Sequence, residues 1–251
     1  MKNFKLIVTD LDRTLLRTDK TISAYSTDVL LRCQRQGTRI AFATARPKRS
    51  VLEFIETIPV DALILNNGAS AYAGEKLLHY SGIESKVKDA LLLAMNRDFP
   101  DVTIAAEIDD VFYTNFEHRN SIRSDFTNLP DKCAEKIIVA ISSSNDLEKI
   151  SAYLPEDLYI EVSDERLGYI MNRDTSKWKA VRKTASYFGI PLTEVAVFGD
   201  DFNDLEMIRK SGTGVAVANA VDDVKAAADC ICDTNDNDGV AKWLEENVLC
   251  V

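Results

Sequence analysis

Short apolar runs alternate with amphipathic segments over the first and last thirds of the chain. Short apolar runs predict buried strands, and apolar positions spaced three or four residues apart predict helices. Strands that alternate with helices are typical of a parallel sheet with helices on both faces. The predicted strands are 4–9, 39–43, 62–65, 195–198, 214–217 and 230–232, and the predicted helices are 23–36, 47–58, 175–188, 204–211, 220–228 and 239–247.

The middle of the chain has a different pattern, with strands that follow one another directly. Predicted helices at 84–97 and 145–154 are joined by strands at 102–107, 111–115, 136–142, 159–162 and 169–172, with turns at Asp109-Asp110 and at 165–168. Hairpins predict an antiparallel sheet with helices on one face. The sequence therefore predicts an α/β core domain formed by 1–81 and 173–251, and an α+β domain inserted over 82–172.

Composition and charge limit the classes of function. The 251 residues are 46% apolar, which is ample for packed cores. No apolar run reaches the roughly 20 residues that cross a bilayer, and the first apolar stretch ends at Asp10, too early for a signal peptide. We therefore expect a cytoplasmic protein with no membrane partner. The sequence carries no signal for an oligomeric state.

The chain is acidic, with 30 basic and 40 acidic residues and a formal net charge of −10. Nucleic acid is a poor partner for such a surface, because binding it requires clustered positive charge. Small phosphorylated molecules stay open as ligands, because a local pocket with a few cations and a metal overrides the net field.

The cysteines give no sign of a metal centre. The five are scattered, and the chain has only two histidines, so a structural zinc site is not expected. We expect them to be buried free thiols. They are Cys33, Cys133, Cys230, Cys232 and Cys250.

The first candidate for chemistry is Asp10-Leu11-Asp12-Arg13-Thr14, directly after a predicted strand. In open parallel sheets, ligands bind beyond the carboxyl ends of the strands. Neighbouring carboxylates are costly unless a cation or a shared proton relieves them, and Mg²⁺ prefers oxygen ligands. Taken alone, the segment also fits a solvated acidic turn or a helix cap.

A second acidic loop, Gly199-Asp200-Asp201-Phe202-Asn203-Asp204, follows another buried strand. If this strand and the one before Asp10 are neighbours, three or four carboxylates converge on one point. Such a cluster is hard to sustain without a metal ion. Two acidic loops after two strands make a merely solvated turn a poor explanation.

Thr44 and Lys177 are weaker candidates. Thr44 follows a predicted strand, so its hydroxyl and nearby backbone N–H groups can form an anion site. The alternative is a simple helix N-cap followed by Pro47 in the first turn. Lys177, at a predicted helix start, can neutralise a phosphoryl oxygen or a carboxylate, or can be an ordinary surface lysine.

In this order, Asp-x-Asp-x-Thr, a strand-end Thr, a Lys and Gly-Asp-x-x-Asn-Asp resemble the haloacid dehalogenase-like (HAD) hydrolase superfamily. The resemblance is closest to its Cof-type sugar-phosphatase branch and covers essentially the whole chain. It implies a Rossmann-like core with a mobile cap inserted between Thr44 and Lys177. Supporting local matches are residues 10–16, Asn66-Asn67-Gly68-Ala69, residues 199–207 and residues 238–241.

The resemblance also implies a reaction, Mg²⁺-dependent hydrolysis of small phosphorylated metabolites, above all sugar phosphates, through an aspartyl-phosphate. Asp10 is the implied nucleophile, and Asp12 the general acid and base, with a pKa above that of Asp10. The implied metal ligands are Asp10, the backbone carbonyl of Asp12, and Asp200. The other implied roles are phosphoryl binding by Thr44 and Lys177, support of the metal by Asp204 through water or hydrogen bonds, orientation of Lys177 or the neighbouring aspartates by Asn203, and substrate contact by Asn67 and Gly68. Arg46, which follows Thr44, is a further candidate for substrate contact, with a surface role at a helix end as the alternative.

The chain departs from the family pattern at Arg13 and Asp201, where the family usually or often has Gly. Arg13 either adds a cation at the mouth of the pocket or faces solvent. Two other functions stay open: a phosphomutase of the same fold, which returns the phosphoryl group to the sugar, and a non-enzymatic sugar-phosphate sensor. Product analysis with hexose phosphates and a broad turnover screen distinguish them.

Overall fold

The computed structural model describes residues 4–162 and 166–249. The chain divides into two compact units: the first combines the segment up to Tyr80 with the segment from Ser176, and the second is Ser81–Thr175. The boundaries expected from the sequence were 82 and 172. The function of the second unit as a cap stays a prediction.

The first part of the first unit contains five strands and two helices. They are β1 (Leu6–Thr9), β2 (Arg39–Ala43), β3 (Ala62–Leu65), β4 (Ser70–Ala73), β5 (Lys76–Tyr80), α1 (Ala24–Arg35) and α2 (Leu52–Thr57). Helix α1 begins after Ser23, whose side chain accepts a hydrogen bond from the backbone N–H of Ser26. The helix predicted at 47–58 is instead a 3₁₀ turn at Lys48–Ser50 followed by α2.

The second unit is an antiparallel sheet with two helices. Its elements are α3 (Ser85–Asp98), β6 (Ile104–Ile108), β7 (Val111–Thr114), β8 (Ile122–Arg123), β9 (Lys136–Ala140), α4 (Ser144–Tyr153), β10 (Leu158–Val162) and β11 (Leu167–Asn172). The strand order is β10-β11-β9-β6-β7-β8, and among the described residues of this unit only β7 and β8 pair in parallel. Asp109 and Asp110 turn the β6–β7 hairpin with φ values of 54° and 63°. The other predicted turn includes residue 165, which lies outside the described residues.

The two ends of the second unit lie side by side. The hydroxyl of Thr175 donates a hydrogen bond of 2.8 Å to the backbone carbonyl of Ser81, and the two side-chain oxygens are 3.2 Å apart. Two residues further in, Ile83 forms a β-bridge with Ala134. The chain therefore enters and leaves this unit at one place.

The rest of the first unit returns to the alternating pattern. Its elements are α5 (Lys177–Tyr187), β12 (Val195–Gly199), α6 (Leu205–Lys210), β13 (Thr213–Val217), α7 (Asp222–Ala227), β14 (Cys230–Cys232) and α8 (Gly239–Leu244). The sheet order is β14-β13-β12-β1-β2-β3-β4-β5. Strands β14 to β3 are parallel, and β4 and β5 add an antiparallel hairpin that the sequence pattern did not predict.

The central strands of this sheet are covered on both faces. Leu6, Ile7 and Val8 of β1 are fully buried, although successive side chains of a strand point to opposite faces. The helices pack in two groups, α1 with α8, and α6 with α5 and α7. Within the described residues, no helix has the length and apolar character to cross a membrane.

The cysteines follow the expectation in part. The four that the structure describes are free thiols. Cys33 and Cys232 are buried, whereas Cys133 and Cys230 are partly exposed, so the prediction of burial is wrong for those two. Cys250 lies outside the described residues.

Candidate active site

Neighbouring parallel strands bring the two acidic loops to one edge of the first unit's sheet. Strands β1 and β12 pair in parallel, with Thr9 opposite Phe198. The backbone N–H of Asp10 donates to the carbonyl of Phe198 at 3.0 Å, which extends the ladder by one residue. Asp10 and Asp200 therefore leave adjacent strands at the same level.

Three carboxylates converge at this edge. One oxygen from each of Asp10, Asp200 and Asp204 lies within 4.8 Å of the other two. All three residues are buried, with exposed fractions of 5%, 3% and 0%. The carboxylate of Asp12 does not belong to this cluster. The expected contribution of the Asp12 backbone carbonyl to a metal site stays a prediction.

Lys177 is the cation of this cluster, and it is not a surface lysine, since only 1% of it is exposed. Its Nζ lies 2.7 Å from Asp10 Oδ1 and 2.7 Å from Asp204 Oδ1. Lys177 is the first residue of α5, whose N-cap is Ser176. The helix start therefore aims the lysine at both carboxylates.

Asp204 also holds the backbone of the second acidic loop. Its Oδ2 accepts hydrogen bonds from the backbone N–H groups of Asp200 at 3.0 Å and Asp201 at 3.3 Å. Gly199 makes this close packing possible, because a Cβ at that position would lie 2.4 Å from the Cβ of Asp204. The carboxylate of Asp201 accepts from the backbone N–H of Phe202 and caps the following 3₁₀ turn.

Burial and mutual repulsion shift the pKa values of the carboxyl groups in this cluster. Burial raises the pKa of Asp10 well above its ordinary value, and the attraction of Lys177 opposes this shift only in part. Burial, followed by the charge of Asp204, raises the pKa of Asp200 to about 6. For Lys177, burial favours the neutral form, but attraction to Asp10 and Asp204 prevails and raises its pKa.

The donor set fits a hard divalent cation. Three carboxylates face one buried ammonium group, and the guanidinium of Arg13, 3.8 Å from Asp200, is more than half exposed. Burial, and after it the repulsion between these carboxylates, raises the pKa values of Asp10 and Asp200. Oxygen ligands are those that Mg²⁺ prefers, so Asp10, Asp200 and Asp204 are suited to hold it.

Asp12 lies in a separate ion-pair cluster. Arg46 donates two hydrogen bonds to its carboxylate, from Nε to Oδ2 at 2.7 Å and from Nη2 to Oδ1 at 2.8 Å. Lys20 Nζ donates a third, of 2.8 Å, to Oδ1. Burial favours the neutral acid, but the bonds and charges of Arg46 and Lys20 lower the pKa of Asp12 to about 2. The expectation that Asp12 has the higher pKa of the pair is therefore wrong in this arrangement.

Thr44 lies at the end of β2 and is buried. Its backbone N–H donates to the carbonyl of Ile64 at 2.8 Å, and its hydroxyl oxygen accepts from the backbone N–H of Arg46 at 3.1 Å. The 3₁₀ turn after this loop has Pro47 as its N-cap. Both parts of the alternative, Thr44 as N-cap and Pro47 in the first turn, are therefore wrong, and phosphoryl binding by the Thr44 hydroxyl stays a prediction.

The loop after β3 has an unusual backbone. Asn66, Asn67 and Gly68 have φ values of 50°, 59° and 92° in succession. At Gly68, a Cβ would lie 2.3 Å from the backbone oxygen of Ser176. Gly68 thus allows this loop to touch the start of α5, next to Lys177. Its predicted contact with substrate stays a prediction, as does that of Asn67.

Asn203 contacts the loop after β3. Its Nδ2 donates a hydrogen bond of 3.1 Å to Asn67 Oδ1, and its expected role in orienting Lys177 or the neighbouring aspartates stays a prediction. The two loops after β3 and β12 are tied by this amide pair. Asn66 belongs to a supporting sequence match but had no role assigned to it. It is 4% exposed, and its buried Oδ1 has no hydrogen-bond partner among the described residues.

Three further residues lie at the site: Thr14 and Lys20 had no role assigned from the sequence, and Arg13 had two open alternatives. Thr14 donates its hydroxyl to Asp200 Oδ1 at 2.8 Å, and its place in the Asp-x-Asp-x-Thr motif was the signal. Arg13 combines both alternatives, since it is largely exposed and also faces Asp200. Lys20 had no signal, because a lysine in a polar loop does not reveal its partner.

Comparison with known proteins agrees with this geometry. Residues 7–244 match the family of haloacid dehalogenase-like hydrolases. The chain belongs to this family, as its motifs predict, and its resemblance to the Cof-type branch is confirmed.

Relatives with known names align over nearly the full length. A 5-amino-6-(5-phospho-D-ribitylamino)uracil phosphatase of Bacillus subtilis, YitU, is 31% identical, with 96% of each chain covered. A second phosphatase with the same description from that organism, YcsE, is 28% identical over 98% of this chain and 97% of its own. The predicted enzyme class, a phosphatase, is therefore confirmed.

The fold is confirmed by a solved structure. A haloacid dehalogenase-like hydrolase from Bacteroides thetaiotaomicron superposes with a TM-score of 0.86 and 26% identity, covering 97% of this chain and 99% of the other. The predicted Rossmann-like α/β fold is thus confirmed.

Proposed function

We propose that this phosphatase hydrolyses phosphate monoesters of sugars or polyols in the presence of Mg²⁺, through an aspartyl-phosphate on Asp10. The observation that carries the proposal is the buried Lys177, which holds Asp10 and Asp204 at 2.7 Å each, next to Asp200. Phosphoryl transfer asks a protein mainly for positioning and for stabilisation of charge. This cluster offers both.

Asp10 is the proposed nucleophile. A carboxylate oxygen of Asp10 forms a bond to phosphorus while the bond from phosphorus to the substrate oxygen breaks. Lys177 restrains the carboxylate through Oδ1 and favours its ionised form. Mg²⁺ held by Asp10, Asp200 and Asp204 would neutralise charge on the phosphoryl oxygens. Water then attacks phosphorus, which frees inorganic phosphate and restores Asp10.

Asp12 is the proposed general acid and base. The leaving alkoxide needs a proton in the first step, and the attacking water gives one up in the second. With Arg46 and Lys20 bound, Asp12 is ionised, so it is ready to accept a proton rather than to donate one. Donation in the first step therefore requires that one of these cations release the carboxylate.

The substrate class rests on the relatives. Two of them are named for a phosphate ester at the end of a ribityl chain, which is a polyol phosphate. We infer that this chain also acts on a small phosphorylated sugar or polyol in the cytoplasm. Nucleic acid is an unsuitable partner for a chain of net charge −10.

A panel of phosphorylated metabolites tests this class. We expect release of inorganic phosphate from ribityl and hexose phosphates with kcat/KM at least about tenfold above that for nucleotides, because one well-placed polar contact contributes on that scale. Phosphate release is measured with a colorimetric assay in Mg²⁺ buffer. Isomerised hexose phosphate without free phosphate would instead identify a mutase, and binding without turnover across the panel a sensor.

Metal dependence is the second expectation. Removing Mg²⁺ with a chelator should lower phosphatase activity at least about 100-fold, because the charge on the phosphoryl group loses its main counterion. Mg²⁺ at about 100 times its Kd should stabilise the fold by about 2.7 kcal/mol, and a thermal melt measures this. Asp200→Asn should remove most of the stabilisation. A wild-type melting temperature that does not respond to Mg²⁺ would contradict the proposed metal site.

A further inference from the structure

Arg13 has a backbone conformation that a residue with a side chain rarely adopts. Its φ is 62°, in the left-handed region that favours glycine. It stands between Asp12 and Thr14, in the loop that leaves β1. A residue of this kind persists only where its surroundings hold it.

Two asparagine side chains hold this loop from outside. Asn219 Nδ2 donates to the backbone carbonyl of Arg13 at 2.8 Å. Asn219 Oδ1 accepts the backbone N–H of Asn235 at 2.9 Å, and Asn235 Nδ2 donates to the carbonyl of Leu16 at 2.9 Å. The two amides thus form one continuous chain of hydrogen bonds from Arg13 to Leu16, which we call the amide clamp.

The fold supplies both asparagines from neighbouring strands. Asn219 follows β13 and Asn235 follows β14, and these strands lie beyond β12 on the same side of β1. Asn235 is only 5% exposed. The turn that carries Asn235 is itself tightly built, because a Cβ on Gly239 would lie 1.9 Å from the carbonyl oxygen of Asp233. The clamp is therefore anchored on rigid elements.

The loop held by the amide clamp carries two side chains that face the two carboxylate oxygens of Asp200. Thr14 Oγ1 donates to Asp200 Oδ1 at 2.8 Å, and Arg13 Nε lies 3.8 Å from Asp200 Oδ2. A change in the φ of Arg13 rotates the backbone between these two contacts. The orientation of Asp200 thus depends on the conformation of Arg13.

We propose that Asn219 and Asn235 are positioning residues that hold Arg13 in the left-handed conformation and thereby orient Asp200 for Mg²⁺. The inference rests on the proposed metal site. It assigns the two asparagines to metal affinity rather than to contact with substrate. Their loss should weaken Mg²⁺ binding and leave substrate binding at saturating Mg²⁺ nearly unchanged.

The variant Asn219→Ala tests the effect of the amide clamp on Mg²⁺ binding. We expect the Mg²⁺ concentration for half-maximal thermal stabilisation to rise at least about tenfold, and the KM for p-nitrophenyl phosphate at saturating Mg²⁺ to change less than about twofold. Asn219→Asp, which keeps the acceptor for Asn235 but loses the donor to Arg13, should shift Mg²⁺ binding in the same direction. Circular dichroism verifies that both variants fold.

Combining Asn219→Ala with Arg13→Ala or with Arg13→Gly separates the effect of backbone conformation from that of side-chain charge. Glycine adopts a positive φ without penalty and does not need the clamp, whereas alanine needs it as arginine does. Asn219→Ala should therefore weaken Mg²⁺ binding about tenfold in the Arg13→Ala background and less than about threefold in the Arg13→Gly background. A merely structural role of Asn219 would give the same factor in both backgrounds.

Asn237→Ala is the matched control, because Asn237 belongs to the same turn but its side chain bonds Asp233 instead of the loop. It should leave Mg²⁺ binding unchanged within about twofold. Equal factors in the two Arg13 backgrounds, with Mg²⁺ binding intact in the wild-type protein, would overturn the amide clamp alone. A wild-type protein that binds no Mg²⁺ would overturn the proposed function and the clamp together.

Discussion

Replacing Asp10 with asparagine is expected to reduce kcat by at least about 10⁴-fold, since a neutral amide cannot form the acyl-phosphate bond. The change is nearly isosteric, so the fold should survive. Burial raises the pKa of Asp10, which means that the folded protein disfavours the ionised form. The Mg²⁺-free melting temperature of Asp10→Asn should therefore equal or exceed that of the wild-type protein.

The measurements are steady-state phosphatase assays and thermal melts on the same preparations. Asp222→Asn is the control, because the Asp222 side chain is fully exposed on α7 and its removal should leave both quantities unchanged. Activity of Asp10→Asn within tenfold of wild type would contradict the assignment of the nucleophile. A large fall in melting temperature would contradict the argument that the buried, ionised Asp10 destabilises the fold.

Replacing Lys177 with methionine is expected to affect stability as well as activity. The variant leaves Asp10 and Asp204 buried without their ammonium partner. Removing one partner of a buried ion pair costs about 3–5 kcal/mol, and losing a cation at a transferring phosphoryl group costs about 10²–10³-fold in kcat. Denaturant titration measures the first quantity, and phosphate release the second.

Two conditions should restore part of the lost stability of Lys177→Met. Mg²⁺ supplies the missing positive charge, and acid does so by protonating the carboxylates. Because the folded protein raises the pKa of Asp10, the ionised group destabilises the fold above that pKa, and stability rises as the pH falls through it. Lys183→Met, an exposed lysine on α5, is the control. An unchanged unfolding free energy for Lys177→Met would refute the role of the ion pair.

The meeting of several loops at the site was predictable, because it follows from the parallel pairing of the strands that precede them. Apolar runs end at Asp10, Thr44 and Asp200, and parallel neighbours place their carboxyl ends at one edge. The β4–β5 hairpin was missed because β5 lies at the edge of the sheet with exposed or half-exposed residues, so it lacks the apolar signal of a buried strand.

The ion pairs around Asp12 were not predictable, because they depend on where flexible side chains end. Lys20 and Arg46 come from different loops and meet only in the folded chain. They lower the pKa of Asp12 while burial raises that of Asp10, and together these shifts reverse the expected order of the two pKa values. Residue type and spacing show which acids are present, but their ionisation depends on neighbours that are remote in sequence.

The amide contacts were equally hidden from the sequence. Asn203 lies in a motif that suggests a role beside Lys177, yet it pairs with Asn67. Asn219 and Asn235 are uncharged, and the residues around them, acidic in the case of Asn235, give no sign of the backbone groups that these amides contact. Only the order of β13 and β14 beside β12 brings them to the loop after β1.

The paired ends of the second unit bear on how this architecture can vary. Because Ser81 and Thr175 are hydrogen-bonded to each other, a module of any length can be inserted at this point without stretching the polypeptide that carries Lys177. The catalytic framework and the inserted module can thus change independently during evolution. The same junction is a natural place to exchange one module for another in a chimera.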